Sequence, residues 1–228
     1  MCIAAGCASQ SPPADEGAGT KTIAITFDDG PSAQTGKLLA VLGENNITAT
    51  FFLIGQNIRA RPEQARQIFA AGHEIGNHSD GYSALGVTGT ASENDIRQSL
   101  AAASAAIQET TGGSPSSFRA PTPDYSDTLI AIVREMGMAL IGTDVIGRDW
   151  EANITTETII NNVLTSAKDG GIILLHELYG GDTERTIRAV PVIARQLRQR
   201  GYEIVTVGEL ARRKGVSFEA GKRYDTIN

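Results

Sequence analysis

Two adjacent acids, Asp28 and Asp29, close the stretch Thr22-Ile23-Ala24-Ile25-Thr26-Phe27 and are followed by Gly30-Pro31. The preceding residues are β-rich, and a Gly-Pro pair stops a strand with a turn. Both carboxylates therefore fall at a strand's C-terminal end, where α/β folds place their chemistry. Like charges this close repel, so the pair calls for a metal or a cation to take up one of them. Four further polar groups fall at matching places. His78 follows Gly72–Asn77, Arg119 follows Phe118, Asp149-Trp150 follows a strand after a short loop, and His176 ends Ile172-Ile173-Leu174-Leu175. An imidazole ending so apolar a run is expensive without a partner. Groups of this kind, gathered at strand ends, occupy one face of a barrel. His73, inside its strand rather than at its end, reads as structural.

Alternating segments must position these groups. Strand-like runs are predicted at Thr22–Phe27, Thr48–Ile54, His73–Asn77, Ser117–Arg119, Ala139–Val145, Ile172–His176 and Glu203–Val207. Helical patterns fall between them, at about Ala33–Asn45, Pro62–Ala71, Glu93–Thr110, Thr128–Met136, Glu157–Lys168 and Glu184–Arg200. Ser92, Thr155-Thr156 and Asp182-Thr183 stand where N-caps belong. Repeated βα units imply a parallel sheet, closed as a barrel or open and doubly wound. No glycine-rich phosphate loop is present.

The chain has 228 residues, 41% of them apolar, enough to bury a full core in one domain. Its net charge of −6 argues against a nucleic acid or an anionic membrane as partner. An uncharged glycan or a small molecule suits it better, and 5% aromatic content leaves little for an extensive sugar-stacking platform. No apolar run is long enough to cross a bilayer. Both cysteines, Cys2 and Cys7, precede the globular part. Ile3-Ala4-Ala5-Gly6-Cys7 resembles the end of a bacterial lipoprotein leader, and a polar tether follows it from Ser9 to Thr20. Residues 1–20 are accordingly expected to be leader remnant and tether, with Cys7 as a candidate lipid anchor and an extracytoplasmic address. Residues 21–228 form the expected domain, taken as a monomer.

In their order along residues 20 to 215, these segments resemble the NodB-homology polysaccharide deacetylases, carbohydrate esterase family 4. Thr26-Phe27-Asp28-Asp29-Gly30-Pro31 matches the first motif intact, and His78-Ser79-Asp80-Gly81-Tyr82 the second. Arg119-Ala120-Pro121, Asp149-Trp150 and Leu174-Leu175-His176 match the third, fourth and fifth. The resemblance implies a distorted (β/α) barrel of about seven strands. Two departures stand out. Tyr82 holds the place of the family's second metal-binding His, and Thr122-Pro123-Asp124 replaces the aromatic residue common after the third motif's proline. His78-Ser79-x-x-Tyr82-Ser83 and the tail from Lys214 to Tyr224 are similar to the acetylxylan esterase branch.

The resemblance also implies roles. Asp29 and His78 would hold one divalent ion (Co, Zn, Ni or Mn), which polarises the acetyl carbonyl and acidifies water. Asp28 would act as general base, kept ionised by Arg119, and His176 as general acid, its tautomer set by Asp149. A backbone N–H near Thr122 would meet the oxyanion. Trp150 and Leu174 would wall the acetyl pocket, and Tyr82, a poor ligand while neutral, would bond a water on the metal. The expected activity is hydrolysis of O-acetyl esters of xylan. An N-deacetylase of peptidoglycan or chitin-type glycans is the first alternative, and an inactive glycan-binding domain the second. A binder, however, has no need of a general base and acid.

Overall fold

The computed structural model describes residues 20–82, 91–122, 125–178 and 183–228. Cys2, Cys7 and their tether as far as Gly19, Ser83, Pro123-Asp124 and the Asp182 cap lie outside the described residues. Nine strands alternate with eight helices among those described. In chain order the strands are β1 (Lys21–Asp28), β2 (Thr50–Leu53), β3 (Glu74–Asn77), β4 (Ser117–Phe118), β5 (Ala139–Ile141), β6 (Val145–Ile146), β7 (Ile172–His176), β8 (Tyr202–Val205) and β9 (Arg223–Tyr224). The helices are α1 (Thr35–Glu44), α2 (Gly55–Ala60), α3 (Pro62–Ala70), α4 (Glu93–Thr111), α5 (Asp127–Glu135), α6 (Thr156–Ser166), α7 (Thr183–Gln199) and α8 (Val207–Arg213).

The strands form one sheet in the order β6-β7-β1-β2-β3-β4-β5-β9, with β8 also paired to β1. Every named ladder is parallel. The result is a curled, distorted (β/α) barrel, the fold class expected. Two short strands go beyond the sequence reading. The predicted Ala139–Val145 strand breaks into β5 and β6, and the tail supplies β9. Past β9, Thr226 bridges Gly171 just before β7, so the tail spans from β5 to the other side of the sheet. Helices α2 and α8, of six and seven residues, are too short to show a helical period and were not foreseen.

The two faces of β1 explain the barrel's polarity. Ile23, Ile25 and Phe27 point outward, packing with Leu38, Phe51, Leu53, Ile173, Leu175 and Ile193 beneath the helices. Alternation sends Thr22, Ala24, Thr26 and Asp28 inward. Ala24 meets Phe52, Ile141, Ile172 and Tyr224 in a small inner cluster. The inner face thus turns from apolar to polar toward the strands' C-terminal ends. Helix α4 starts on a capping box, with Ser92 and Asp95 each bonding the other's backbone N–H. It ends on Gly112 at φ 78°, a left-handed turn that glycine adopts without strain.

Candidate active site

Parallel register sets Asp28 directly beside His176 on β1 and β7. Neighbouring positions in a parallel ladder face the same way, so both side chains project into the barrel mouth. Adjacent acids in a regular strand would diverge, but Asp29 takes a left-handed conformation, φ 76°. That turn brings both carboxylates to one imidazole. His78 Nε2 lies 3.3 Å from Asp29 Oδ1 and 3.7 Å from Asp28 Oδ2. The Asn57 side chain donates to the Asp29 carbonyl at 2.7 Å and the Asp29 N–H donates to Phe52 O at 3.1 Å, fixing the turn.

His78 is held from behind. Its Nδ1 lies 2.7 Å from the carbonyl of Arg119. A carbonyl only accepts, so Nδ1 carries a proton and Nε2 is the ring atom turned to the two acids. Ser79, at φ 65°, donates its N–H to Asn77 Oδ1 at 2.7 Å. Asn77 in turn donates to Leu100 O and to Ser104 Oγ. Burial opposes charge on His78, but Asp28 and Asp29 outweigh it and raise its pKa. Burial likewise works against the Asp29 carboxylate. His78 dominates the opposing effects, with His176 and Tyr82 adding to it, and holds the acid below the usual range.

Arg119 is buried and fully engaged. It donates to Asp28 Oδ1 at 2.8 Å, to Thr26 Oγ1, and to the carbonyls of Ile141 and Gly142. Its guanidinium also lies over the Phe52 ring, 4.1 Å from the centroid. Five donors meeting this many acceptors leave the cation one orientation. The Asp28 carboxylate is thereby oriented as well.

On the other side, Asp149 grips His176 twice. Its Oδ1 faces His176 Nδ1 at 2.8 Å, and its Oδ2 accepts the His176 backbone N–H at 2.7 Å. Thr186 on α7 adds a third bond to Asp149 Oδ2, at 2.8 Å. An ionised carboxylate accepts, so Nδ1 is protonated and Nε2 is left for the cavity. Burial lowers the His176 pKa, but Asp149, helped by Asp28 and Asp29, lifts it to about 8. Trp150 meets the imidazole edge-on, ring centroids 5.2 Å apart.

All ten residues singled out in the sequence line one cavity or back it directly. Asp28, Asp29, His78, Tyr82, Arg119, Thr122, Trp150, Leu174 and His176 line a cavity of about 800 Å³. Asp149 sits behind His176. The sequence reading missed Tyr125, Ile146 and Arg223, which line the same cavity, and Glu177, which supports the acidic turn. Glu177 is fully buried. It accepts from Ser32 N and Thr35 Oγ1 and donates its own N–H to Asp28 O at 2.9 Å. Burial raises its pKa against those hydrogen bonds. Its position right after His176 was the one available signal. His73 lies away from the cavity, its Nδ1 accepting from Ala49 N–H at 3.2 Å, as its structural reading anticipated.

Comparison with known proteins places this geometry. The family model described as polysaccharide deacetylase matches residues 15–141, and a peptidoglycan-N-acetylglucosamine deacetylase of Bacillus cereus is 36% identical over 198 residues, 85% of this chain and 90% of that one. The chain belongs to the polysaccharide deacetylase family. A bifunctional xylanase/deacetylase of Pseudobutyrivibrio xylanivorans is 37% identical over 86% of this chain, which spans 31% of that longer protein. Among solved structures, a family 4 acetyl xylan esterase from Clostridium thermocellum, in complex with a cobalt ion, superposes with a TM-score of 0.83 at 35% identity. That alignment covers 91% of this chain and 99% of the esterase.

Proposed function

We propose that this family member is a metal-dependent deacetylase that hydrolyses O-acetyl esters of xylan. The observation that carries the hydrolytic part is the register pair Asp28–His176. It sets a carboxylate held by Arg119 beside an imidazole held by Asp149. One is equipped to take a proton and the other to give one.

The donor set fits a divalent ion. Asp29 Oδ1 is buried with no hydrogen-bond donor aligned on it, and His78 Nε2 offers its lone pair 3.3 Å away. Among the described residues no group of three or more His, Cys, Asp or Glu is arranged as a metal cage. Asp29 and His78 would hold the ion, with Tyr82 interacting with the Asp29 carboxylate beside them. When bound, the ion supplies Lewis-acid polarisation of the carbonyl and a more acidic water. Asp28 accepts the proton of the attacking water, and Arg119 keeps that carboxylate aimed. A backbone N–H near Thr122 meets the oxyanion. His176 delivers a proton from Nε2 to the departing oxygen. Trp150 and Leu174 enclose the acetyl methyl.

Tyr82, and the likeness to the cobalt-bound acetyl xylan esterase, favour an ester substrate. The Bacillus cereus relative favours a second reading, an N-deacetylase of peptidoglycan-type glycans. Acetate release from acetylated xylan and from N-acetylated chito-oligomers, measured side by side with and without chelator, tests both. Release from xylan at least tenfold faster supports the ester, and the reverse ranking overturns it. Substrates of this size suggest an extracytoplasmic enzyme. No helix among the described residues is long and apolar enough to cross a membrane.

A further inference from the structure

The cavity is larger than an acetyl group requires. At about 800 Å³ it lies in the range that encloses whole organic ligands. The wall formed by Trp150, Leu174 and Ile146 adjoins His176. Tyr125 and Arg223 also line the cavity, beside Gly142. Arg223 belongs to β9, where its register partner is Leu140 and its neighbour Tyr224 turns into the inner core. Strand alternation therefore sends Arg223 away from that core. Its side chain remains 45% exposed.

Three contacts organise this wall. The Arg223 guanidinium lies over the Tyr125 ring, 4.4 Å from its centroid. Arg223 Nε donates to Asp225 Oδ1 at 2.9 Å, and Nη2 lies 2.7 Å from the same oxygen. Asp225 can sit there only because residue 142 is glycine: a Cβ at Gly142 would overlap Asp225 Oδ1. One carboxylate oxygen satisfies one edge of the guanidinium, so the remaining N–H groups are offered to solvent and cavity. Arg223 and Asp225 together carry no net charge. They present fixed donors and acceptors beside an aromatic ring, the chemistry that matches vicinal hydroxyls of a neutral sugar.

We infer that Arg223, oriented by Asp225 and Tyr125, forms a subsite for the uncharged pyranose next to the acetylated one in the glycan chain. The inference rests on the glycan deacetylase reading above and makes Arg223 a specificity-determining residue contributed by the C-terminal strand. Its effect is on recognition of chain length, because an acetylated monosaccharide has no neighbouring ring to reach it.

The test compares kcat/KM on acetylated xylose and on acetylated xylotetraose for wild type, Arg223→Ala and Arg223→Lys. The β5–β9 ladder uses backbone groups and survives both changes. Wild type is expected to gain at least tenfold from mono- to tetrasaccharide. Arg223→Ala should lose about tenfold of that gain, mainly through KM, the scale of a hydrogen bond to a charged donor. Arg223→Lys, which keeps the charge but not the planar fork, should recover little of it. A chain-length gain unchanged in Arg223→Ala overturns the subsite alone. A wild type that releases acetate from neither sugar overturns the proposed function and the subsite with it.

Discussion

The carboxylate of Glu177 occupies the space beside Gly30 that any larger residue would need. A Cβ added at position 30 would overlap Glu177 Oε2 and press on Leu53. The residue just past β7, next to His176, therefore props the turn that carries both acids. Gly30→Ala should cost about 1–3 kcal/mol of stability, as overpacking of a closed site does. Adding Glu177→Ala should restore part of it, giving a coupling above 0.5 kcal/mol on the scale found for contacting residues. Urea unfolding of the two single variants and the double variant measures this. Strict additivity would mean that the two residues do not constrain each other.

Asp28→Asn and His176→Ala should each lower kcat by about 10²-fold or more, the usual scale for a positioned base or acid. Asn keeps the shape of the Asp28 side chain while Arg119 retains its three other acceptors, so the fold should persist. Circular dichroism alongside steady-state rates separates the two effects. Near-wild-type kcat in either variant would remove that residue from the reaction.

The pH profile should report the Asp149–His176 pair. A general acid works protonated, so activity should decline as pH rises through about 8, the raised value of His176. Asp149→Asn removes the carboxylate that most raises the imidazole pKa, and the alkaline limb should move down toward the ordinary histidine value of about 6.5. The same raised pKa makes His176 stabilising below about 6.5 and progressively less so as pH rises through about 8. An alkaline limb identical in wild type and Asp149→Asn would break the link.

His73 gives the opposite dependence. Burial lowers its pKa to about 4. The unfolded chain takes up this proton near 6.5 and the folded one only near 4, so stability is full above 6.5 and falls as pH drops through that window. The Ala49 N–H that Nδ1 accepts would also be lost on protonation at that nitrogen. His73→Gln should flatten the slope of unfolding free energy between pH 6.5 and 4.5. A slope equal to wild type would assign the acid sensitivity elsewhere.

Tyr82 marks what is particular to the proposed metal site. With Asp29 and His78 as its two proposed protein ligands, the site should give up its ion readily to chelator and regain activity with several divalent cations. Tyr82→His should tighten zinc binding by about tenfold or more, read by calorimetric titration of the metal-free proteins. Equal zinc affinity in the two proteins would show that residue 82 does not face the ion.

The sequence by itself determined most of the βα order and the positions of Asp28, Asp29, His78, Arg119, Asp149 and His176. Each stands at or just past the end of a strand-like run, and that local pattern is written in residue types; Tyr82, Thr122, Trp150 and Leu174 were singled out by the family resemblance. Ser92 and Thr155 were legible as caps for the same reason: their hydroxyls bond N–H groups three residues on. Only the tertiary structure decided which groups meet. Asp28 lies opposite His176, 148 residues away, through strand register. The left-handed turn at Asp29 sets both acids on one imidazole. The Thr22–Phe27 run reads as β-rich, and only its neighbours in the sheet decide that Ile23, Ile25 and Phe27 form the outer hydrophobic layer while Thr26 and Asp28 face the inner mouth. Glu177 carried only its position right after His176 as a signal, and Arg223 carried none. The role of each depends on what the folded chain brings beside it: Gly30 for one, Tyr125 and the cavity for the other. The short strand β9 was invisible for the same reason, since two residues have no period and it is held by a partner distant in the chain.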